Sequence, residues 1–166
     1  MRLRTVLLTL PVAALLAQPL WAPQLGAGIL GEVAALGSVG APIAIAAFFG
    51  LVALYVLSLR RLLRAVPPPS RARTPASLWL MFAIPFNFVE DFEIVAGIAR
   101  SLRAEGRIAA ARVRRWHRLG IAWCALQLVS LLPGPVGVSG GALALIAWAV
   151  HWVLTERLVR VPGAGD

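Results

Sequence analysis

Long apolar runs alternate with short stretches that are rich in arginine, proline or glycine along the whole chain. Apolar runs of this length are typical of transmembrane helices. The pattern predicts an all-α membrane protein with four transmembrane helices in one integral membrane domain, residues 1–166. We place these helices at about residues 5–22, 41–60, 116–132 and 140–157. The last two are short beside the roughly 20 residues that cross a bilayer, so they must use flanking residues.

Two interpretations fit the first apolar run. Basic residues precede it and small residues follow it, as in a secretory signal peptide. However, Pro23 directly follows Ala22, the best cleavage position, and a proline there is unfavourable for cleavage. We therefore interpret the run as a retained transmembrane helix with a kink at Pro11, which a helical bundle tolerates.

The segment at about residues 75–115 is too charged to cross a bilayer and too apolar for an ordinary linker. Glu90, Asp91 and Glu93 would each cost about 2.5–3.5 kcal/mol at the bilayer centre. Pro85 interrupts the apolar part that precedes them. We therefore predict an interfacial or re-entrant helical segment on the cytoplasmic side, which leaves an even number of crossings.

The second half of this segment has amphipathic periodicity. Apolar residues recur at spacings of three and four, and Gly106 is expected to separate this helix from a basic one that follows. We predict that the apolar face embeds in the membrane surface and that the basic group binds anionic lipid head groups or an acidic partner. The apolar residues are Phe88, Phe92, Val95 and Leu102, and the basic residues are Arg112, Arg114, Arg115 and Arg118.

Composition and charge agree with a membrane location. The chain is 60% hydrophobic, and its mean hydropathy is +0.82, far above the average for soluble domains. Sixteen basic residues against seven acidic ones would suggest nucleic-acid binding in a soluble protein. Here every basic residue is an arginine at the edge of an apolar run, which predicts positive-inside anchoring without nucleic acid. We expect a multi-pass protein of a bacterial inner membrane with both termini in the cytoplasm.

Few residues suggest chemistry. Cys124 is the only cysteine, which excludes an intramolecular disulfide and a cysteine-based zinc site. Glu90, Asp91 and Glu93 form the densest acidic group, and no Glu-x-x-His pattern accompanies them. We interpret this group as surface charge that complements a helix dipole and pairs with nearby arginines, with a proton or cation site as the alternative.

His151 is the strongest candidate ligand, because an ionisable residue within a span suggests function. Ala147 lies four residues earlier, and Trp148 and Trp152 flank the histidine. This Ala-x-x-x-His pattern resembles the pigment-binding pattern of bacterial light-harvesting polypeptides. The resemblance implies bacteriochlorophyll or haem held by His151, with Trp148 or Trp152 stacking on the ring. A hydrogen-bonded structural histidine is the simpler hypothesis.

A second resemblance concerns topology. Trp79, the Ile84-Pro85-Phe86-Asn87 stretch and the run to Arg103 are similar to a segment of uncharacterised bacterial four-helix membrane proteins. Those proteins often carry a second proline soon after the asparagine, where this chain has Glu90-Asp91. The resemblance implies the same four-helix topology and supplies no activity.

These observations favour a non-enzymatic membrane subunit that scaffolds or stabilises a larger bacterial membrane complex, with no cofactor. The alternative is a pigment- or haem-bearing subunit of a photosynthetic or electron-transfer complex. A small transporter is a weaker hypothesis, since the predicted spans contain few polar residues beyond Gln127, Ser130 and His151.

Overall fold

The computed structural model describes residues 3–26 and 28–161. These residues are all-helical without strands, as the sequence predicts. The α-helices are α1 Leu3–Leu16, α2 Gln18–Trp21, α3 Gly28–Ala34, α4 Gly37–Arg64, α5 Asn87–Glu105, α6 Ala110–Val129 and α7 Pro135–Val159. Short 3-10 helices cover Pro23–Leu25, Pro68–Ser70 and Pro75–Phe82. The predicted cytoplasmic termini include residues 1–2 and 162–166, which lie outside the described residues.

Two of the described helices are long and apolar enough to cross a membrane, where the sequence predicts four. These are α4, with a mean hydropathy of 2.3, and α7, with 1.6. The apolar helix Thr5–Leu16 is shorter than this requirement. Helix α6 is long, but arginines occupy its first half. The four-helix expectation is therefore met only in part.

The prediction of one continuous helix over residues 5–22 is wrong. Helix α1 ends at Leu16, and the separate four-residue α2 starts at Gln18. Pro19 explains the interruption, because it has no N–H to continue the hydrogen-bond ladder and it disfavours helical geometry in the preceding residue. Gln18 is buried, and its Nε2 donates to the carbonyl oxygens of Ala22 and Gly26.

The other predicted boundaries also shift. Helix α4 has 28 residues and α7 has 25, so both exceed the predicted spans. Helix α7 begins at Pro135, well before residue 140, since proline suits the first turn of a helix and Gly134 supplies the positive φ of 74° before it. Helix α6 begins at Ala110 and continues without a break from its basic half into its apolar half.

Three helices pack side by side, and α4 joins them at one end. Helices α5 and α6 are antiparallel, as are α6 and α7. Helix α4 runs parallel to α7, because Tyr55 contacts His151 and Arg61 contacts Glu156 farther along both helices. The carboxyl ends of α4 and α7 and the amino end of α6 therefore lie together, and we call this the basic end of the molecule.

Residues 75–105 form a segment that folds back on itself, here called the folded-back segment. The Thr74 hydroxyl caps its 3-10 limb by accepting from the Ser77 amide at 3.3 Å. Phe82 in this limb stacks on Phe49 of α4 with ring centroids 5.9 Å apart. The chain then reverses around the cis Ile84-Pro85 bond, and α5 returns. The predicted break at Pro85 is confirmed.

The predicted end of α5 at Gly106 is also confirmed, by its left-handed φ of 76°. The predicted role of the α5 face in lipid contact is wrong for two of its four residues. Val95 and Leu102 are 0% exposed and lie in the protein core. Phe92 packs partly against that core, and Phe88 lines an open groove beside α1. Helical periodicity marks a buried face but does not distinguish lipid from protein as its cover.

Candidate functional site

His151 is 0% exposed and lies among aromatic side chains in the core. Its Nδ1 lies 2.8 Å from the hydroxyl of Tyr55 in α4. Trp116 and Trp123 of α6 pack on its ring, with centroids 4.5 Å and 6.2 Å away. Trp148 and Trp152 pack edge-on against the Tyr55 ring, with centroids 5.6 Å and 5.8 Å away. We call these six residues the His151 cluster.

Hydrogen bonds from tryptophan side chains fix this cluster between helices. The Trp116 indole N–H donates to the Thr155 hydroxyl at 2.9 Å, and that hydroxyl donates to the His151 carbonyl at 2.9 Å. The Trp152 indole N–H donates to the Ser58 hydroxyl at 2.9 Å. The cluster therefore joins α4, α6 and α7 through polar contacts inside an otherwise apolar core.

The second ring nitrogen of His151 faces the backbone of α6. A Cβ atom placed on Gly120 would lie 2.7 Å from His151 Nε2, so this nitrogen sits directly against the glycine. Axial ligation needs an open space in front of the nitrogen and a flat macrocycle beyond it. The backbone of α6 at Gly120 occupies the space in front of Nε2, and the rings of Trp116 and Trp123 lie against the imidazole. His151, Trp148 and Trp152 do not fit the predicted ligation of bacteriochlorophyll or haem.

The acidic group of α5 is mostly buried, contrary to the predicted surface position. Glu90 pairs with Arg73 at 3.0 Å, and its carboxylate also accepts from the Thr5 hydroxyl of α1 at 3.4 Å. Asp91 is 3% exposed, and its Oδ1 makes no hydrogen bond within the described residues. Pairing with an arginine was predicted, but the partner comes from the linker before the 3-10 limb.

The predicted lipid-binding arginines lie on the surface. All four are exposed along the first half of α6: Arg112, Arg114, Arg115 and Arg118. Their position permits contact with head groups or an acidic partner, and that contact stays a prediction. Within the described ranges, no group of three or more His, Cys, Asp or Glu residues could hold a metal ion.

Arginine side chains also close the end of α4. Arg71 donates to the carbonyl oxygens of Val66 at 2.7 Å and Arg64 at 2.9 Å. Arg107, from the α5–α6 connection, donates to the carbonyl oxygen of Ala65 at 3.2 Å. These bonds satisfy carbonyl groups that a helix end leaves open and complement its negative dipole.

Sequence reasoning missed Tyr55 and Arg73. Tyr55 is the only tyrosine and lies inside an apolar run. A hydroxyl in such a run requires a buried hydrogen-bond partner. This requirement is the signal that points from Tyr55 to another polar residue of the predicted spans. Arg73 belongs to a general cluster of arginines, so its sequence context does not separate it from its neighbours.

Comparison with known proteins finds no matching family model, no matching curated protein and no matching solved structure.

Proposed function

We propose that this chain is a non-enzymatic integral membrane subunit that scaffolds or stabilises a larger complex in a bacterial inner membrane. The outward exposure of its most apolar helices carries the proposal. Only 22% of the most apolar window of α4 and 33% of that of α7 are buried inside the protein. Core helices of soluble proteins are mostly covered, whereas these two helices present bare aliphatic side chains.

The exposed apolar residues form continuous outer surfaces. On α4 and α7 they recur along several helical turns, and a shorter set continues on α1. Contact of such surfaces with lipid tails has no hydrophobic cost, whereas their contact with water is unfavourable in free energy. The residues more than half exposed include Leu7, Leu10, Ile43, Leu54, Leu143, Leu145 and Ile146.

The distribution of arginines supports the orientation. Exposed arginines concentrate at the basic end, at the last turns of α4 and α7 and the first half of α6. By the positive-inside rule this end faces the cytoplasm. In the proposed topology α1, α4, the apolar half of α6 and α7 cross the membrane, and both termini are cytoplasmic.

The folded-back segment is re-entrant in this topology. Val95 of α5 lies beside Gly120, where the apolar half of α6 begins, and Phe88 lines the same groove as Leu128 near the far end of α6. The first half of α5 therefore reaches the depth of the apolar half of α6. The hydrogen bond from the Ala72 amide to the Ser101 hydroxyl, at 2.9 Å, supports entry and return at the basic end.

Cysteine accessibility tests this proposal in cells. In a Cys124→Ala background, Ser139→Cys places one thiol at the end opposite the basic one, and Ala104→Cys places one at the basic end; both positions are exposed. We expect a membrane-impermeant maleimide to label Ser139→Cys in intact spheroplasts. Labelling of Ala104→Cys should require permeabilisation. The opposite pattern would reverse the orientation.

Two further measurements complete this test. Carbonate-washed membranes should retain the chain, and its release into the supernatant would contradict membrane integration. Solubilised in mild detergent at native expression level, a scaffolding subunit should migrate in native gels well above a chain of 17.7 kDa with its micelle. Migration only at the size of the single chain would contradict the subunit role.

A further inference from the structure

A groove of about 570 Å³ opens at the basic end between α4 and α7. Arg61, Arg64 and Arg160 line its rim, and all three side chains are exposed. Leu54 and Leu57 form its wall farther from the basic end, and they are 53% and 42% exposed. The groove therefore combines a cationic rim with an apolar wall.

The charge of the rim is unbalanced. Four arginines line the groove, with Arg60 as the fourth, and Glu156 is its only carboxylate among the described residues. Three arginine charges are therefore uncompensated within one groove. An anion placed there would meet several N–H donors at once, which is the arrangement that phosphate groups favour.

The rim is partly preorganised. Arg61 Nη2 lies 2.6 Å from the Glu156 carboxylate and donates to the Ser58 hydroxyl at 3.2 Å. Ser58 also accepts from the Trp152 indole N–H, which fixes Trp152 at the level of the rim. A guanidinium has five donors, so Arg61 keeps donors for a ligand while its position is held. The Arg60 guanidinium lies over the ring of Trp79, 5.3 Å from its centroid, and Trp79 is outside the groove lining.

Away from the basic end, the apolar wall of the groove is continuous with the exposed apolar surface of α4. Leu54 lies two turns before Arg61 on this helix, so a molecule held at the rim by a phosphate would meet aliphatic side chains directly above it. A peptide or a nucleic acid has no apolar chain attached to its phosphate. A glycerophospholipid has both parts in this order.

We propose that this groove binds one anionic phospholipid, with the phosphodiester at Arg61, Arg64 and Arg160 and an acyl chain along Leu54 and Leu57. The inference rests on the proposed membrane location. A head group with net negative charge is preferred, because the ammonium of a zwitterionic lipid would lie among the uncompensated arginines. This site is distinct from the surface arginines of α6, which do not line the groove.

Native mass spectrometry of the detergent-solubilised, delipidated chain tests this proposal. Titration with phosphatidylglycerol should give a one-lipid adduct at lower concentration than phosphatidylcholine. Arg64→Gln/Arg160→Gln should weaken that adduct on the order of tenfold, since two phosphate contacts are lost. The matched control is Arg100→Gln/Arg103→Gln, which removes the same charge from exposed positions of α5 outside the groove and should leave the adduct unchanged.

Three outcomes would overturn the proposal. Equal weakening in both double variants would mean unspecific attraction by net charge. Equal adduct formation with phosphatidylcholine would remove the preference for an anionic head group, and inorganic phosphate binding as tightly as the lipid would remove the acyl contact. If carbonate-washed membranes retain the chain while any of these occurs, only the lipid site fails. Release from the membranes would instead refute the proposed function.

Discussion

Replacing Gly120 with alanine is expected to destabilise the folded chain by about 1–3 kcal/mol, the usual cost of overpacking a core. The added Cβ would lie 2.7 Å from His151 Nε2 and 2.7 Å from Val95 Cγ1. Neither neighbour moves easily, because Tyr55 holds the imidazole and Val95 is 0% exposed. The same substitution in an open helix stabilises by about 1 kcal/mol through helix propensity, so the sign itself is diagnostic.

Gly50→Ala is the matched control. Gly50 is also in the middle of a long helix, and a Cβ there would meet nothing within 4 Å. We expect its thermal midpoint in detergent to stay level or rise, while that of Gly120→Ala falls. Similar shifts in both variants would contradict the close approach of α6 to His151.

Replacing Arg73 with glutamine is expected to have the larger effect, a loss of about 3–5 kcal/mol in unfolding free energy, typical of a buried ion pair that loses one partner. The side chains of Arg73 and Glu90 are only 15% and 11% exposed. Without the guanidinium, Glu90 would keep only the hydroxyl of Thr5, at 3.4 Å. Glutamine keeps the Cγ and Cδ positions that lie against Gly97, so the substitution removes mainly the guanidinium.

Arg61→Gln is the control for this prediction, because Arg61 also pairs with a glutamate but is 59% exposed. Exposed pairs contribute about 1 kcal/mol or less, so this variant should unfold near the wild-type temperature. The double variant Arg73→Gln/Glu90→Gln should recover part of the loss, since it leaves no lone buried carboxylate. A single Arg73→Gln variant as stable as Arg61→Gln would show that Glu90 needs no cation.

Local signals in the sequence predicted the local structure well. The breaks at Pro85 and Gly106 follow from backbone chemistry that acts within a few residues, so no tertiary contact was needed to find them. The interruption after Leu16 has the same kind of cause, since Pro19 acts on the residues directly before it. The prediction of one helix over residues 5–22 followed the length of the apolar run and left this proline out of account. The predicted starts of α6 and α7 were too late, because the prediction began each helix at its apolar part. The structure includes the preceding polar or small residues in the same helices.

The candidate site was less predictable, because its contacts join residues far apart in sequence. The sequence identified His151 as a buried polar residue, but not that Tyr55 would contact one nitrogen and Gly120 would cover the other. Likewise the acidic group of α5 was found, but its burial depends on the packing of α1 and the linker against it. Periodicity gives the face of a helix and leaves its neighbour undetermined.

The bond from Arg107 to Ala65 also constrains how the chain is made. These residues are separated by 42 positions, and the donor follows the whole folded-back segment. While a ribosome is still producing that segment, the last carbonyl groups of α4 lack this partner. The end of α4 therefore reaches its final state only after α5 has been synthesised and has returned to the basic end. Assembly of this region is thus tied to the order of translation.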